Sequence, residues 1–369
     1  MTTETTSSLD DAAAIARRDP GGMLHHIADF PNQMRAGWAM TRKLSLPEAY
    51  RAAPSVAVLG MGGSAICGDL VRSIFADRLR VPVATLRDYD LPAWVDAKTF
   101  VAAVSHSGTT EETISSVSTA LSRKANVAVI TTGGALGEVA ARVQLPLLKY
   151  PDQTPPRAAL GYTLPMLTGV LERARMLDVA DGEIDGAVAA LEVVIRNCGP
   201  DQPTESNPAK QLAWSLLDRL PLIEAAGFLA PVAYRWKTQL NENSKSFGAV
   251  ETLPEATHNA VVGYDNPDVL HDHMYVVFLA SSADHPRNSL RATLSSELLT
   301  SVGIAYQVVP VGGEGRLAQA CAAILLGDYV STYLALLYGV DPMPVDAISH
   351  VKRRLSGPES AREPEDEED

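Results

Sequence analysis

The sequence predicts an α/β protein built from two doubly wound parallel sheets, each covered by helices on both faces. The first observation is a series of short runs rich in Val, Leu and Ala, which are typical of strands buried on both faces. The second is the placing of helical patterns between these runs. The third is the length, since 369 residues exceed what one hydrophobic core usually organises. We therefore expect two α/β/α sandwich domains with flanking helices.

The first domain is expected at residues 41–176, after a tail and helical extension at 1–40. Apolar runs predict its strands at 55–61, 81–88, 100–107, 126–134 and 145–150. Residues 109–125 show a helical pattern between two of these runs, as a doubly wound sheet requires.

The second domain is expected at residues 208–355, after a connector at 177–207. Its strands are predicted at 221–227, 275–282 and 305–311, separated by helical stretches at 230–247 and 286–303. A long apolar helix at about 316–338 is expected next, followed by a final helix with a basic end. Residues 356–369 are strongly acidic, which predicts a disordered tail.

Composition excludes several classes of function. The net charge of −13 opposes a nucleic-acid surface, which needs clustered Lys and Arg. We expect no membrane span or signal peptide, because no apolar run is long enough and none opens the chain. Cys67, Cys198 and Cys321 are odd in number and far apart, so we expect no disulfide framework and a cytoplasmic location. His271 and His273 lack the further ligands of a zinc site, so no metal is expected.

A glycine-rich segment, Gly60–Ala65, lies where the first strand ends and a helix begins. Unpaired backbone N–H groups at such a point can hold an anion, and Ser64 adds a hydroxyl donor. Two other interpretations stay open. The segment could be only a tight turn, or it could be a dinucleotide fingerprint with Asp88 or Asp90 contacting a ribose.

A second loop of this kind, Ser105–Thr113, also follows a buried strand and opens a helix. Its hydroxyl side chains could donate several hydrogen bonds to one phosphoryl group. The alternative is helix capping alone, with Thr109 and Glu112 forming a capping box. Capping does not account for Ser105 and Ser107, so phosphate binding is the favoured hypothesis.

The motifs GMGGSAICGD, SHSGTTEET, PRAALGY, NENSK and a following HN together resemble the sugar isomerase (SIS) superfamily. They are most similar to its bifunctional phosphoglucose/phosphomannose isomerase branch, over residues 45–355. The resemblance implies two SIS domains, a homodimer, and a small-molecule sugar phosphate bound at the junction of subunits. It implies an aldose–ketose isomerase that acts on glucose 6-phosphate, mannose 6-phosphate or both, without a cofactor or metal.

The resemblance also implies roles for individual residues. The catalytic base falls on Glu242, and the ring-opening histidine, contributed by the neighbouring subunit, falls on His258. Arg157 matches the arginine that faces the enediolate, and Lys352 matches the lysine near the ring oxygen. The phosphate-binding positions fall on Gly63, Ser64, Ser105, Ser107 and Thr110.

These residue types suit the chemistry. Moving a carbonyl between C1 and C2 needs one base, a fixed cation for the enediolate oxygens, and an acid–base group that titrates near neutrality. Taken singly, each candidate has an ordinary structural interpretation: Glu242 and Lys352 at solvated helix ends, His258 in a loop, Arg157 on the surface. His106 departs from the family pattern, where an aromatic residue is expected, and so places a titratable group beside the phosphate.

Two further hypotheses remain at this point. A non-catalytic SIS protein that binds sugar phosphates as a regulator would keep the two loops without turnover. A nicotinamide-dependent dehydrogenase would rest on the glycine-rich segment Gly60–Ala65 alone.

Overall fold

Two parallel sheets organise the described chain, residues 9–355 and 357, in this computed structural model. The spatial order of the first sheet is β2-β1-β3-β4-β5. Its strands are β1 (Val56–Leu59), β2 (Val83–Leu86), β3 (Phe100–Ser105), β4 (Asn126–Thr131) and β5 (Leu147–Lys149). Its central strands β1 and β3 are buried along their whole length, which explains their unbroken apolar sequences. The predicted α/β fold with doubly wound sheets is confirmed.

The second sheet is smaller and has the order β7-β6-β8-β9. Its strands are β6 (Leu220–Ala226), β7 (Ala249–Leu253), β8 (Met274–Ala280) and β9 (Ala305–Pro310), all paired in parallel. The sequence did not predict β7. This strand lies at the sheet edge and is only partly buried, so its sequence lacks the apolar run that marked the others.

Helices cover both sheets. Those up to residue 198 are α1 (Ala12–Arg18), α2 (Met23–Ala28), α3 (Phe30–Thr41), α4 (Glu48–Arg51), α5 (Gly62–Ile74), α6 (Glu111–Ser122), α7 (Gly134–Arg142), α8 (Leu160–Arg173) and α9 (Asp181–Cys198). The later ones are α10 (Pro208–Leu216), α11 (Ala230–Asn243), α12 (Val269–His273), α13 (Pro286–Val302), α14 (Gly315–Tyr338) and α15 (Asp346–Leu355). The expected acidic tail lies outside the described residues, apart from Gly357.

Helix α14 packs against helices of both halves of the chain, including α2, α9, α10 and α11. Within the described residues it alone has the length and hydropathy of a membrane span, but 89% of its most apolar window is buried. Its all-round apolar sequence is therefore explained by burial in the core.

Candidate active site

The first predicted phosphate loop, Gly60–Ala65, leads into helix α5 at the carboxyl end of β1. Ser64 is buried in the first turn of α5, and its Oγ accepts a hydrogen bond from the backbone N–H of His106 at 3.1 Å. Gly63 packs against the segment before Arg157, since a Cβ on Gly63 would lie 3.1 Å from the carbonyl oxygen of Pro156. This glycine therefore lets the loop approach the segment that contains Arg157.

The second predicted phosphate loop, Ser105–Thr113, includes the last residue of β3 and is held together by its own side chains. The buried Ser105 Oγ accepts from the N–H of Gly108 at 3.2 Å and donates to Thr110 Oγ1 at 3.1 Å. Gly108 has a φ of +65°, and a Cβ there would lie 1.9 Å from the carbonyl oxygen of Gly133. The loop can adopt this shape only with glycine, because the loop after β4 presses directly against it.

The capping box between Thr109 and Glu112, which was the alternative interpretation of this loop, is absent. Thr110 is the N-cap residue of α6, and it makes no side-chain capping bond. The N–H and hydroxyl of Thr109 instead donate to Ser107 Oγ, at 3.2 and 3.0 Å. The hydroxyl groups of the loop therefore organise one another rather than the helix end, which leaves the helix N–H groups available for an anion.

His106 is buried between two partners from the segment after β5. Its Nε2 lies 3.0 Å from Asp152 Oδ1 and its Nδ1 lies 3.2 Å from the hydroxyl of Tyr150. Burial lowers the pKa of His106, and the Asp152 carboxylate opposes that shift. Since a carboxylate only accepts, Nε2 donates to Asp152 and Nδ1 accepts from Tyr150. His106 thus links the phosphate loop to the segment that leads to Arg157.

Arg157 is buried and held by fixed acceptors. Its Nε donates to Asn243 Oδ1 at 2.7 Å, and Nη2 donates to the carbonyl oxygens of Pro342 and Met343 at 2.6 and 2.8 Å. Nη1 faces Glu242, with the carboxylate Oε2 at 4.0 Å. Burial lowers the pKa of this guanidinium and Glu242 opposes the shift, but arginine stays protonated at neutral pH. The site therefore holds a permanent cation beside a carboxylate.

A buried polar network beneath the site fixes the backbone of Arg157. The Nη2 of Arg235 donates to the carbonyl oxygen of Arg157 at 2.8 Å and to both carboxylate oxygens of Asp328, at 3.1 and 2.9 Å. The amide of Gln239 donates to the same carboxylate at 2.8 Å. Helices α11 and α14 of the second domain therefore position an arginine of the first domain.

Glu242 lies in the last turn of α11, with 27% of its side chain exposed. Next to it, the ammonium of Lys245 caps the helix by donating to the carbonyl oxygens of Glu242, Asn243 and Asp341, at 3.0, 3.1 and 2.8 Å. Burial is the first cause of the lowered pKa of Lys245, and the charge of nearby Arg157 is the second. Glu242 also lines an open cleft of about 560 Å³, formed with residues 340–348.

Lys352 lies on the exposed helix α15, one turn beyond Ile348, which lines the same cleft. Residues four apart share a side of a helix, so Lys352 lies on the side of α15 that carries Ile348. The apolar side chains of Ile348, Val351 and Leu355 are 42%, 56% and 52% exposed on this helix. The structure thus places Lys352 near the mouth of the cleft rather than in its lining.

His258 is exposed at the opposite end of the second domain from Glu242. Helix α11 starts after the carboxyl end of β6 and runs back, so Glu242 lies toward the amino end of the sheet. His258 ends a short 3-10 helix that follows the carboxyl end of β7. The length of that strand, about 17 Å for five residues, separates the two ends. Within one chain the structure does not bring His258 to the site.

Sequence reasoning missed the residues that support Arg157. Asn243 is inside the NENSK motif, but nothing in the pattern linked it to Arg157. Asp328 carried a usable signal, since it is an acidic residue within an otherwise apolar helix and so had to be paired. Tyr150 and Asp152, the partners of His106, carried no such signal. Within residues 9–355 and 357, no group of three or more His, Cys, Asp and Glu side chains is arranged to hold a metal.

Two α/β/α sandwiches with parallel sheets, and two glycine- and hydroxyl-containing loops at the carboxyl end of one sheet, define a SIS-domain protein. Residues 205–355 match the family model described as the bacterial phospho-glucose isomerase C-terminal SIS domain. The chain is 36% identical over 335 residues to the bifunctional phosphoglucose/phosphomannose isomerase of Caldicellulosiruptor bescii, covering 90% of this chain and 99% of the relative. It belongs to the bifunctional phosphoglucose/phosphomannose isomerase family, as the motifs in the sequence predicted.

A second relative and a solved structure are also similar to this chain. The enzyme of the same name from Aquifex aeolicus is 33% identical over 297 residues, covering 80% of this chain and 88% of the relative. A glucose-6-phosphate isomerase like protein from Thermus thermophilus has the same fold, with a TM-score of 0.62 at 22% identity. That match covers 94% of this chain and 99% of the solved one.

Proposed function

We propose that this protein interconverts glucose 6-phosphate, mannose 6-phosphate or both with fructose 6-phosphate, through a cis-enediol intermediate. The observation that carries the proposal is the approach of the Arg157 guanidinium to the Glu242 carboxylate, at 4.0 Å. This pair joins a residue of the first domain to one of the second, beside a phosphate loop. A base and a permanent cation side by side are what an enediol mechanism needs.

In the proposed mechanism the two loops bind the phosphate through Ser64, Ser105, Ser107 and Thr110, with Gly63 allowing close approach. Glu242 removes the proton from C2 of the open-chain aldose, and the electron pair forms the C1–C2 double bond while O1 becomes an enediolate oxygen. Arg157 stabilises that negative charge. After a proton moves between O2 and O1, Glu242 returns its proton to C1 and the ketose forms.

Glu242→Gln tests the base directly. We expect turnover to fall by about a hundredfold to ten-thousandfold, because an amide cannot accept the proton, while sugar phosphate still binds. Glu48→Gln, a surface variant 78% exposed at the side chain, is the control and should keep full activity. Isomerisation of fructose 6-phosphate would be followed with separate detection of both aldoses. Full activity in Glu242→Gln would contradict the mechanism, and an inactive wild-type protein that binds the sugar would indicate a regulator.

We further propose that His258 opens the sugar ring in the site of a second copy of the chain, with Lys352 near the ring oxygen. His258 needs a partner because it lies at the far end of its own second domain. The surface beside it suits a homodimer. Helix α13 exposes 43%, 47% and 46% of Leu290, Leu294 and Leu298, four residues apart. Arg291 of the same helix donates to the hydroxyl of Thr257, next to His258.

Mixing two inactive variants tests this arrangement. A Glu242→Gln chain keeps His258, and a His258→Ala chain keeps Glu242, so a hybrid dimer contains one intact site. After unfolding and refolding together, we expect about a quarter of wild-type activity, because half of the dimers are hybrid and one site in each is intact. Each variant refolded alone is the control. If the mixture is no more active than the sum of the controls, the shared site is wrong.

We propose a cytoplasmic location for the enzyme. Cys67, Cys198 and Cys321 are all buried and unpaired. Burial raises the pKa of the thiols of Cys67 and Cys321 to about 12, which keeps them protonated and unreactive. Free thiols of this kind suit a reducing compartment.

A further inference from the structure

A carboxyl group is buried in the second domain where the surrounding face of the sheet is apolar. Glu224 on β6 is fully buried, and its neighbours on this face include Leu222 on the same strand and Phe278 on β8. The Oε1 atom accepts a hydrogen bond from the hydroxyl of Tyr264 at 2.8 Å. Within the described residues Oε2 has no hydrogen-bond partner. Among residues 9–355 and 357, Tyr264 is therefore the one side chain that donates a hydrogen bond to this carboxyl group.

Tyr264 belongs to the segment that carries His258. A short 3-10 helix ends at His258, and another, Ala260–Asp265, begins two residues later and contains Tyr264. Most of this segment is exposed, but the Tyr264 ring is only 4% exposed and packs into the apolar cluster on the sheet. The ring and its hydroxyl thus anchor an otherwise superficial segment to β6.

Two other attachments hold the same segment. Arg291 on α13 donates to the hydroxyl of Thr257, and the ring Nε2 of His271 lies 3.0 Å from the carbonyl oxygen of Tyr264. Neither of these two contacts involves a strand of the second sheet. The Glu224–Tyr264 hydrogen bond is the polar contact that fixes how deeply the segment inserts against the strands.

Burying a carboxyl group here is costly. Burial raises the pKa of Glu224 to about 7, and Glu251, its partner in register on β7, adds repulsion. An apolar pair of similar volume in place of Glu224 and Tyr264 would commonly be as stable or more stable. Stability therefore does not explain why a carboxyl group is buried here. A directional hydrogen bond sets position in a way that apolar contacts do not.

We infer that Glu224 and Tyr264 are positioning residues that hold His258 at the depth and angle needed for ring opening. The inference rests on the proposed role of His258 in the ring opening of the sugar. Tyr264 lies six positions after His258, and each belongs to a short 3-10 helix, so a shift at the anchor is transmitted to the imidazole. Glu242 lies at the other end of the sheet and should be insensitive to it.

A substrate that cannot form a ring separates ring opening from the proton transfer. Fructose 6-phosphate closes a furanose through its C5 hydroxyl, so 5-deoxyfructose 6-phosphate stays open and needs only the proton transfer. We expect Tyr264→Phe and Glu224→Leu to lower kcat for fructose 6-phosphate by about tenfold to a hundredfold, because misplacing a catalytic group by about 1 Å has effects of this size. Turnover of the open substrate should stay at the wild-type rate.

Glu224→Gln is the matched control, because its amide oxygen can still accept the hydrogen bond from Tyr264, so it should restore most of the ring-dependent kcat. His258→Ala is the benchmark for complete loss of ring opening. If Tyr264→Phe and Glu224→Leu keep wild-type kcat for fructose 6-phosphate, or lose both substrates equally, the positioning role is wrong. If His258→Ala itself shows no difference between the substrates, the proposed ring-opening role fails first and the positioning role fails with it.

Discussion

Removing the carboxylate of Asp328 should destabilise the protein severely. The side chains of Arg235 and Asp328 are 2% and 3% exposed, and their closest N–O distance is 2.9 Å. In Asp328→Ala the guanidinium stays buried without its counter-ion, which typically costs about 3–5 kcal/mol. The amide of Gln239 also loses its acceptor, which adds about 1 kcal/mol. We therefore expect a loss of about 4–6 kcal/mol in the free energy of unfolding.

Urea unfolding at 25 °C measures this loss as a shift of the midpoint with little change of slope. The control is Glu192→Ala, which removes an ion pair with Arg35; the side chains of Arg35 and Glu192 are 51% and 44% exposed. Because that pair is well solvated, its loss should cost no more than about 1 kcal/mol. The comparison separates the effect of burial from the effect of losing an ion pair.

Replacing both Arg235 and Asp328 tests whether the uncompensated buried charge causes the loss of stability. The double variant Arg235→Met with Asp328→Leu removes both charges and fills their space, so it should recover most of the stability lost in Asp328→Ala. It should remain impaired in turnover, since the carbonyl of Arg157 loses its donor Arg235. If Asp328→Ala costs less than about 1 kcal/mol, or the double variant is as unstable as the single one, the argument from an uncompensated buried charge is refuted.

Three further predictions follow from single groups. The pKa of Glu224 is raised from 4.5 to about 7 in the folded protein, so the group ionises at a lower pH in the unfolded state than in the folded state. Between pH 4.5 and pH 7 this group should therefore lower the free energy of unfolding by about 3 kcal/mol. Urea titrations at both pH values should show that Glu224→Gln removes this part of the pH dependence. Gly108→Ala should lower the free energy of unfolding by about 2 kcal/mol or more, because it places a Cβ at positive φ against the carbonyl of Gly133. Asn243→Ala removes the acceptor of Arg157 Nε and should lower kcat about tenfold with a smaller change in KM; an unchanged kcat would contradict the positioning of Arg157 by this amide.

Local sequence patterns were sufficient to predict most strands and helices of the fold. Buried parallel strands such as β3 need apolar residues on both faces, so their sequences are unbroken and easily recognised. Strand β7 was missed because it is a partly buried edge strand after a polar stretch. The positions of the two loops were predictable for a similar reason, since hydroxyl residues and glycine concentrate where a strand meets a helix.

The rest of the site could not be predicted locally. Arg157 and Asn243 are 86 residues apart in sequence, and their hydrogen bond exists only after both domains pack. The family motifs supplied Glu242 and Arg157 as candidates, but not the network of Arg235 and Asp328 beneath them. The placing of His258 away from Glu242 follows from the direction of α11, which no single motif encodes.

Helix α14 has a consequence for how the protein is made. It begins at Gly315, yet it packs against α2 (Met23–Ala28) and α9 (Asp181–Cys198), which come much earlier in the sequence. The guanidinium of Arg18 also donates to the carbonyl oxygen of Leu336. During synthesis, α2 and α9 therefore remain without this partner until α14 has left the ribosome. The apolar faces of α2 and α9 that pack on α14 are therefore exposed on the nascent chain during that interval.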